Sequence, residues 1–192
     1  MDLQWLALAA REHRRYLLFS LGVFLVGTLG GVGLVVQDVD LLAELGFSEI
    51  RGVIPGELTV LSLLANNTRA FAIMLLGALT LGLLTAFGLV VNGVLVGYVG
   101  AIAGGQQGLG FVLLAIAPHG VLELPALFVA SAVAFRVVAR TALRVAGRRD
   151  SVQTRAEWRR TLGFVAAAWI ALAVAAVIEI HVTFPLVEAL YG

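Results

Sequence analysis

Residues 70–122 read AFAIMLLGALTLGLLTAFGLVVNGVLVGYVGAIAGGQQGLGFVLLAIAPHGVL, 53 residues between Arg69 and Glu123 without an aspartate, glutamate, lysine or arginine. As one helix this run would be about 80 Å long at a rise of roughly 1.5 Å per residue. A hydrocarbon core is roughly 30 Å thick, so the run must fold back. Its best polar breaks are Asn92-Gly93 and Gly104-Gly105-Gln106-Gln107-Gly108, since Asn, Gly and Gln clusters punctuate apolar periodic segments. They predict a helix near 69–90, a short one near 92–104, and a third near 110–136 that runs past Pro118 and Pro125 to Arg136 and beyond. The 92–104 piece is short for a crossing. A tilted span is preferred, and a re-entrant segment buried by its neighbours is the alternative.

The rest of the chain suits the same solvent. Hydrophobic residues make up 60% of the 192 and charged residues 13%, against about 25% charged in an ordinary soluble domain. That balance excludes disordered, collagen-like, disulfide-scaffold and nucleic-acid-binding classes. The chain has no cysteine, and all 13 basic residues are arginine. Tyr16 to Gln37 is 22 residues without a charge, enough for a spanning helix and longer than the roughly 7–15 apolar residues of a signal-peptide core. It is expected to be retained, although Arg11, Arg14 and Arg15 precede it. Thr161 to Ile178 supplies 18 more uncharged residues behind a Thr154-x-x-Glu157 capping-box pattern. The expected fold is therefore an all-α polytopic transmembrane bundle, one integral membrane domain over 1–192, with about five spans near 16–37, 69–90, 92–104, 110–136 and 161–180. Three spans plus a long re-entrant hairpin is the alternative. Short interfacial helices are expected beside the spans. One candidate opens at Pro55-Gly56, where Leu58, Leu61, Leu64 and Ala65 recur at helical spacing; a packed loop is the other reading.

Charge sets the expected orientation. Residues 136–160 carry eight arginines and two acids, whereas 37–66 carries Asp38, Asp40, Glu44, Glu49 and Glu57 against Arg51 alone. Arginine-rich loops stay cytoplasmic, so the N-terminus and the 136–160 loop are expected inside and the acidic loop and C-terminus outside.

Three patterns are candidate functional features. Gly93, Gly97, Gly100 and Gly104 form small-xxx-small spacing for close helix packing, expected within the chain rather than against a second copy. Arg136, Arg140, Arg144 and Arg148 recur every four residues, a stripe expected to attract anionic headgroups at about 1 kcal/mol per charge near the surface; docking of a cytoplasmic protein is the alternative. In Pro118-His119-Gly120-Val121-Leu122-Glu123-Leu124-Pro125, an ionisable pair sits at i and i+4 inside an apolar helix, where such groups are costly and face a partner or a cavity. The expectation is a buried polar network, with Glu123 neutral or paired with Arg69 and His119 bonded to a backbone carbonyl. A proton or ion relay is a second reading. A zinc site is a third, and it would need further ligands such as Glu179 and His181, because two are too few. No metal or cofactor is expected, and no nucleophile-base set suggests an enzyme.

Asn66-Asn67-x-Arg69, the glycine-bearing helix through Gly77, Asn92-Gly93 with Gly97, and above all Pro118-His119-Gly120-x-x-Glu123 together resemble the stage II sporulation protein M family, best over residues 60–145. The span count looks similar as well. One departure is the helix after Glu123, which carries Ala130, Ser131, Ala132 and Ala134 where the family pattern has more glycine. The resemblance implies a membrane protein. The family's namesake works in endospore formers as a scaffold in a complex with a peptidoglycan hydrolase that thins septal wall, while related proteins occur widely in bacteria and archaea that do not sporulate. By position it implicates Asn66, Asn67, Arg69, Asn92, Gly93, Pro118, His119, Gly120 and Glu123, with no catalytic role for any. The expected function is a non-enzymatic scaffold or subunit of a membrane complex, contacting lipid and either a protein partner or further copies of itself. A transporter or channel component built on His119 and Glu123 is the alternative.

Overall fold

The computed structural model describes residues 4–44 and 58–192. Among them are helices α1 (Gln4–Val36), α2 (Leu41–Glu44), α3 (Val60–Leu76), α4 (Leu83–Gln107), α5 (Leu109–Val145), α6 (Arg155–Ile178) and α7 (Phe184–Tyr191), and no strand. Five helical segments are long and apolar enough to cross a membrane: Gln4–Val36, Val60–Thr80, Leu83–Gln107, Leu109–Val145 and Arg155–Tyr191. Large apolar residues such as Leu29, Leu79, Phe87, Leu113 and Ile170 stay exposed on these segments. In water that would be a liability, and against lipid it carries no penalty.

Two expected boundaries move. Asn92-Gly93 is not a break, because α4 runs through it unbroken as a 25-residue helix. The Asn92 amide donates to the Gly88 carbonyl at 2.8 Å, so the polar side chain is satisfied on its own helix and the neighbouring glycine is used for packing. The 92–104 piece is thus neither a short tilted span nor re-entrant. The chain turns instead at Leu81 and Gly82, both with positive φ (54° and 87°), after a 3-10 turn at Gly77–Thr80. Glycine tolerates that conformation freely. Hydroxyls close the turn: Thr80 Oγ1 accepts from Leu84 N at 3.1 Å, and Thr85 Oγ1 donates to the Met74 carbonyl at 2.8 Å.

The second shift is at the start of the same segment. Leu61, Leu64 and Ala65 do not belong to a separate interfacial helix. They form the first turns of α3, which begins behind a Thr59/Ser62 capping box, so the second span runs 60–80 rather than 69–90. The Pro55-Gly56 opening and the acids Glu49 and Glu57 lie outside the described residues. Two other expectations hold. A single helix, α5, contains both Pro118 and Pro125, and the Thr154/Glu157 capping box begins α6.

The packing order fixes the direction of each helix. α1 and α4 meet through glycines in ascending register, so they run parallel. A Cβ at Gly27 or Gly31 would collide with the carbonyls of Val90 or Val94, and one at Gly93 or Gly97 with those of Phe24 or Thr28. α5 runs antiparallel to α1, with edge-to-face pairs Phe19–Phe135 and Phe24–Phe128 at centroid distances of 5.0 and 5.4 Å. It also touches α3, α4, α6 and α7. This central position rests on Ala130, Ser131, Ala132 and Ala134, all fully or almost fully buried. Small side chains let neighbouring backbones approach, which alanine and serine achieve here without the extra glycine of the family pattern.

Candidate functional site

Two polar centres sit at opposite ends of the α5/α6 pair. From Glu123 to Arg136 is 13 residues of α5, about 20 Å along the axis.

At the arginine end, Arg136 is fully buried. Its Nη1 reaches His13 Nε2 at 3.1 Å, Thr161 Oγ1 at 3.3 Å and Gln153 Oε1 at 3.5 Å. Its Nη2 bonds Glu12 at 3.1 Å and Glu157 at 3.2 Å. The second oxygen of Glu12 takes two bonds from Arg160, at 2.9 and 2.6 Å. Glu157 also pairs with Arg140, while its other oxygen accepts from Thr154 N at 2.8 Å as part of the α6 cap. His13 Nδ1 lies 2.8 Å from the Ala9 carbonyl. That nitrogen must therefore carry the hydrogen, leaving Nε2 to accept from Arg136 as a neutral imidazole. Three cations and two carboxylates thus tie the ends of α1, α5 and α6 into one network.

This corrects the arginine stripe. Arg136 meets no headgroup, because it is enclosed by protein, and Arg140 is half-buried against Glu157. Arg144 and Arg148 alone are exposed. The four-residue period is real, but α5 passes from the bundle core at Arg136 to solvent at Arg144, so one face of the helix has two environments.

At the far end, Glu123, His119 and Glu179 each offer a ligand atom, all within 4.8 Å of one another. Glu179 comes from a single π-helical turn, Glu179–Thr183, that joins α6 to α7. The same turn presents the buried Thr183, whose Oγ1 lies 3.3 Å from His119 Nδ1. His119 is therefore partnered by a hydroxyl across the interface rather than by the expected backbone carbonyl. Glu123 has no ion pair with Arg69 among the described residues, and Arg69 is exposed on α3. Of the two ligands that could complete a metal site, Glu179 joins His119 and Glu123 while His181 stays exposed. Gly120 is buried, but the atom nearest a Cβ there is the Ile116 methyl of its own helix at 3.1 Å, so it serves no close approach by another helix.

The glycine stripe is divided too. Gly93 and Gly97 are locked against α1, whereas a Cβ at Gly100 would meet Val112 at 3.8 Å and one at Gly104 would meet Val112 at 3.6 Å and Leu109 at 3.8 Å, all ordinary contact distances. Those two glycines face α5, and Gly100 lines an apolar groove of about 300 Å³ with Leu95, Val99, Phe111 and Ala115.

This arrangement of five membrane-length helices, with Pro118-His119-Gly120-x-x-Glu123 on the central one, can be set against known proteins. The family model for stage II sporulation protein M matches residues 20–184. The chain belongs to the stage II sporulation protein M family. An uncharacterized protein of Methanocaldococcus jannaschii is 27% identical over 169 residues, covering 87% of this chain and 90% of the relative. No solved structure matches. The family match reaches well beyond 60–145 and takes in the first span from Ser20 onward and the π turn with Glu179 and Thr183. Glu12 and His13 lie before it. The residues singled out for the stage II sporulation protein M pattern do not converge on one site. Asn66 and Arg69 are exposed on α3 and Asn67 is buried there; Asn92 bonds within α4; only His119 and Glu123 come together, with Glu179. Glu12, His13, Gln153, Thr161 and Thr183 carry no motif that distinguishes them in the sequence, and only their burial and partners reveal them.

Proposed function

We propose that this member of the stage II sporulation protein M family is a non-enzymatic membrane protein that acts as a scaffold or subunit of a membrane complex. Its N-terminus is cytoplasmic and its C-terminus is outside. The observation that carries the reading is the Arg136 network: the buried charges at that end are consumed in holding α1, α5 and α6 together, as suits a rigid membrane platform. The arginine-rich ends of α5 and α6 support the orientation, because positive charge is retained in the cytoplasm. The partner is a membrane protein or another copy of the chain. Cross-linking in native membranes followed by purification should capture a stoichiometric partner or a defined homo-oligomer. A chain recovered as an uncross-linked monomer with nothing attached would refute the scaffold.

A transporter or channel component is the second reading, favoured by the His119–Glu123–Glu179 cluster. In that case Glu123→Gln abolishes pH-dependent flux in proteoliposomes; a parent protein with no flux rules the reading out.

A further inference from the structure

Two carboxylates facing each other inside an apolar bundle need an explanation. Neither Glu123 nor Glu179 has a hydrogen-bond or ion-pair partner among the described residues, although every other buried carboxylate discussed above has a cationic one. Both are partly buried, and Glu123 lies about 20 Å from Arg136 along α5. A charge held in lipid without a counter-charge is costly by several kcal/mol or more. A third group completes the picture: His119 lies with the two carboxylates, its Nδ1 held by Thr183 at 3.3 Å.

We propose that His119, Glu123 and Glu179 bind one divalent transition-metal ion of the zinc type, which clasps α5 to the π turn at the end of α6. One imidazole nitrogen and two carboxylate oxygens are ligands zinc accepts, and three protein ligands leave a fourth position for water. A tetrahedral site with bonds of about 2.0–2.1 Å places its ligand atoms about 3.4 Å apart. The three atoms here, within 4.8 Å of one another, close to that spacing by side-chain rotation of about 1.4 Å at most. Thr183 does what an outer-shell partner does at metal sites. It engages one ring nitrogen, fixes the ring, and leaves the other nitrogen's lone pair for the ion. The π turn has a consequence here as well. It carries both Glu179 and Thr183, four residues apart and both beside His119. Such turns are frequent at functional sites.

The ion neutralises the two carboxylates and adds a bridge between α5 and the π turn beside the His119–Thr183 hydrogen bond. Binding releases any protons the carboxyl groups hold, so occupancy falls as pH is lowered. The inference is independent of the scaffold reading: a metal clasp is equally compatible with a platform or a transport protein, and partner capture does not report on it.

The test uses the full-length protein in detergent, stripped with chelator and titrated with Zn²⁺ or with Co²⁺ as a spectroscopic substitute. One ion per chain is expected, with the visible absorption of tetrahedral Co²⁺ and a rise in melting temperature on loading. His119→Gln and Glu179→Gln should lose the bound ion, the cobalt spectrum and the metal-dependent rise, while eluting as the parent does in gel filtration. His181→Gln should keep all three. No binding by the parent protein overturns the proposal whatever the variants do. So does binding that survives both His119→Gln and Glu179→Gln, which marks adventitious surface ligation. A Glu123–Glu179 pair sharing a proton would show itself as melting that depends on pH and not on Zn²⁺, and that too overturns it.

Discussion

Arg136 sits where an exposed, lipid-facing arginine would be expected, yet among the described residues it is the largest side chain to be fully buried. Its five partners come from α1, α6 and the segment just before α6, and a guanidinium can serve them because its planar fork donates in several directions at once. Removing one member of a buried ion pair leaves the others uncompensated, typically at about 3–5 kcal/mol. Arg136→Leu is therefore expected to lower unfolding stability in detergent by about 3 kcal/mol, the low end of that range, because Glu12 and Glu157 keep Arg160 and Arg140. Arg136→Lys should recover little, since an ammonium cannot satisfy both carboxylates together with His13 and Thr161. Arg144→Gln, on an exposed position of the same face, should change stability by about 0.5 kcal/mol or less. Equal effects of Arg136→Leu and Arg144→Gln in a thermal unfolding assay would contradict the network.

At the scale of elements, the α1/α4 contact and the Leu81-Gly82 turn were the least legible parts of the sequence. Small-residue spacing on α4 announces a packing face but not which of its glycines are used. Gly97→Leu is expected to separate α1 from α4 and destabilise the protein by about 1–3 kcal/mol or more, because the Thr28 carbonyl occupies the space. Gly100→Ala, with only the Val112 methyl at 3.8 Å, should be neutral or stabilising by up to about 1 kcal/mol through helix propensity. Reversed ranks in chemical denaturation would overturn this division. The turn escaped notice because it contains no strongly polar residue. Its signals are the glycines Gly77 and Gly82 and the threonines Thr80 and Thr85, ordinary residues in a membrane helix until the positive φ of Gly82 and the hydroxyl bonds of the threonines are seen. Leu81→Cys, at an 80% exposed position at a helix end, should react with a membrane-impermeant maleimide from one side of the bilayer. Asn92→Cys, in the interior of α4, should not react from either side.

At the scale of the whole molecule, the helices alternate in direction. The N-terminus, the Leu81-Gly82 turn and the α5–α6 connection therefore lie at one end, and the C-terminus and the α4–α5 turn at the other. In intact cells or oriented vesicles, Gln106→Cys should be labelled from the face opposite to that which labels Leu81→Cys and Arg148→Cys. Labelling of all three from the same face would reduce the number of crossings and break the five-helix arrangement. Both the family assignment and this architecture were visible in the sequence. The candidate cluster was legible as a set of alternatives, with His119 and Glu123 paired by their helical spacing and Glu179 or His181, more than 50 residues further on, as further candidates; only the fold brings Glu179 to the pair and leaves His181 exposed.

Local sums are what the sequence by itself determined. Apolar length decided that helices cross a membrane, charge counts distinguished the two ends, and a helical repeat put His119 beside Glu123, each depending only on neighbours along the chain. The tertiary structure alone decided which residues meet across helices. Glu12 reaches Arg136 over 124 positions, and Gly27 and Gly31 fit the carbonyls of α4 while Gly100 fits nothing closely. Such meetings depend on how five helices of similar hydropathy sort themselves side by side. In lipid that sorting is governed by backbone approach and buried polar bonds, which no periodicity within a single helix encodes.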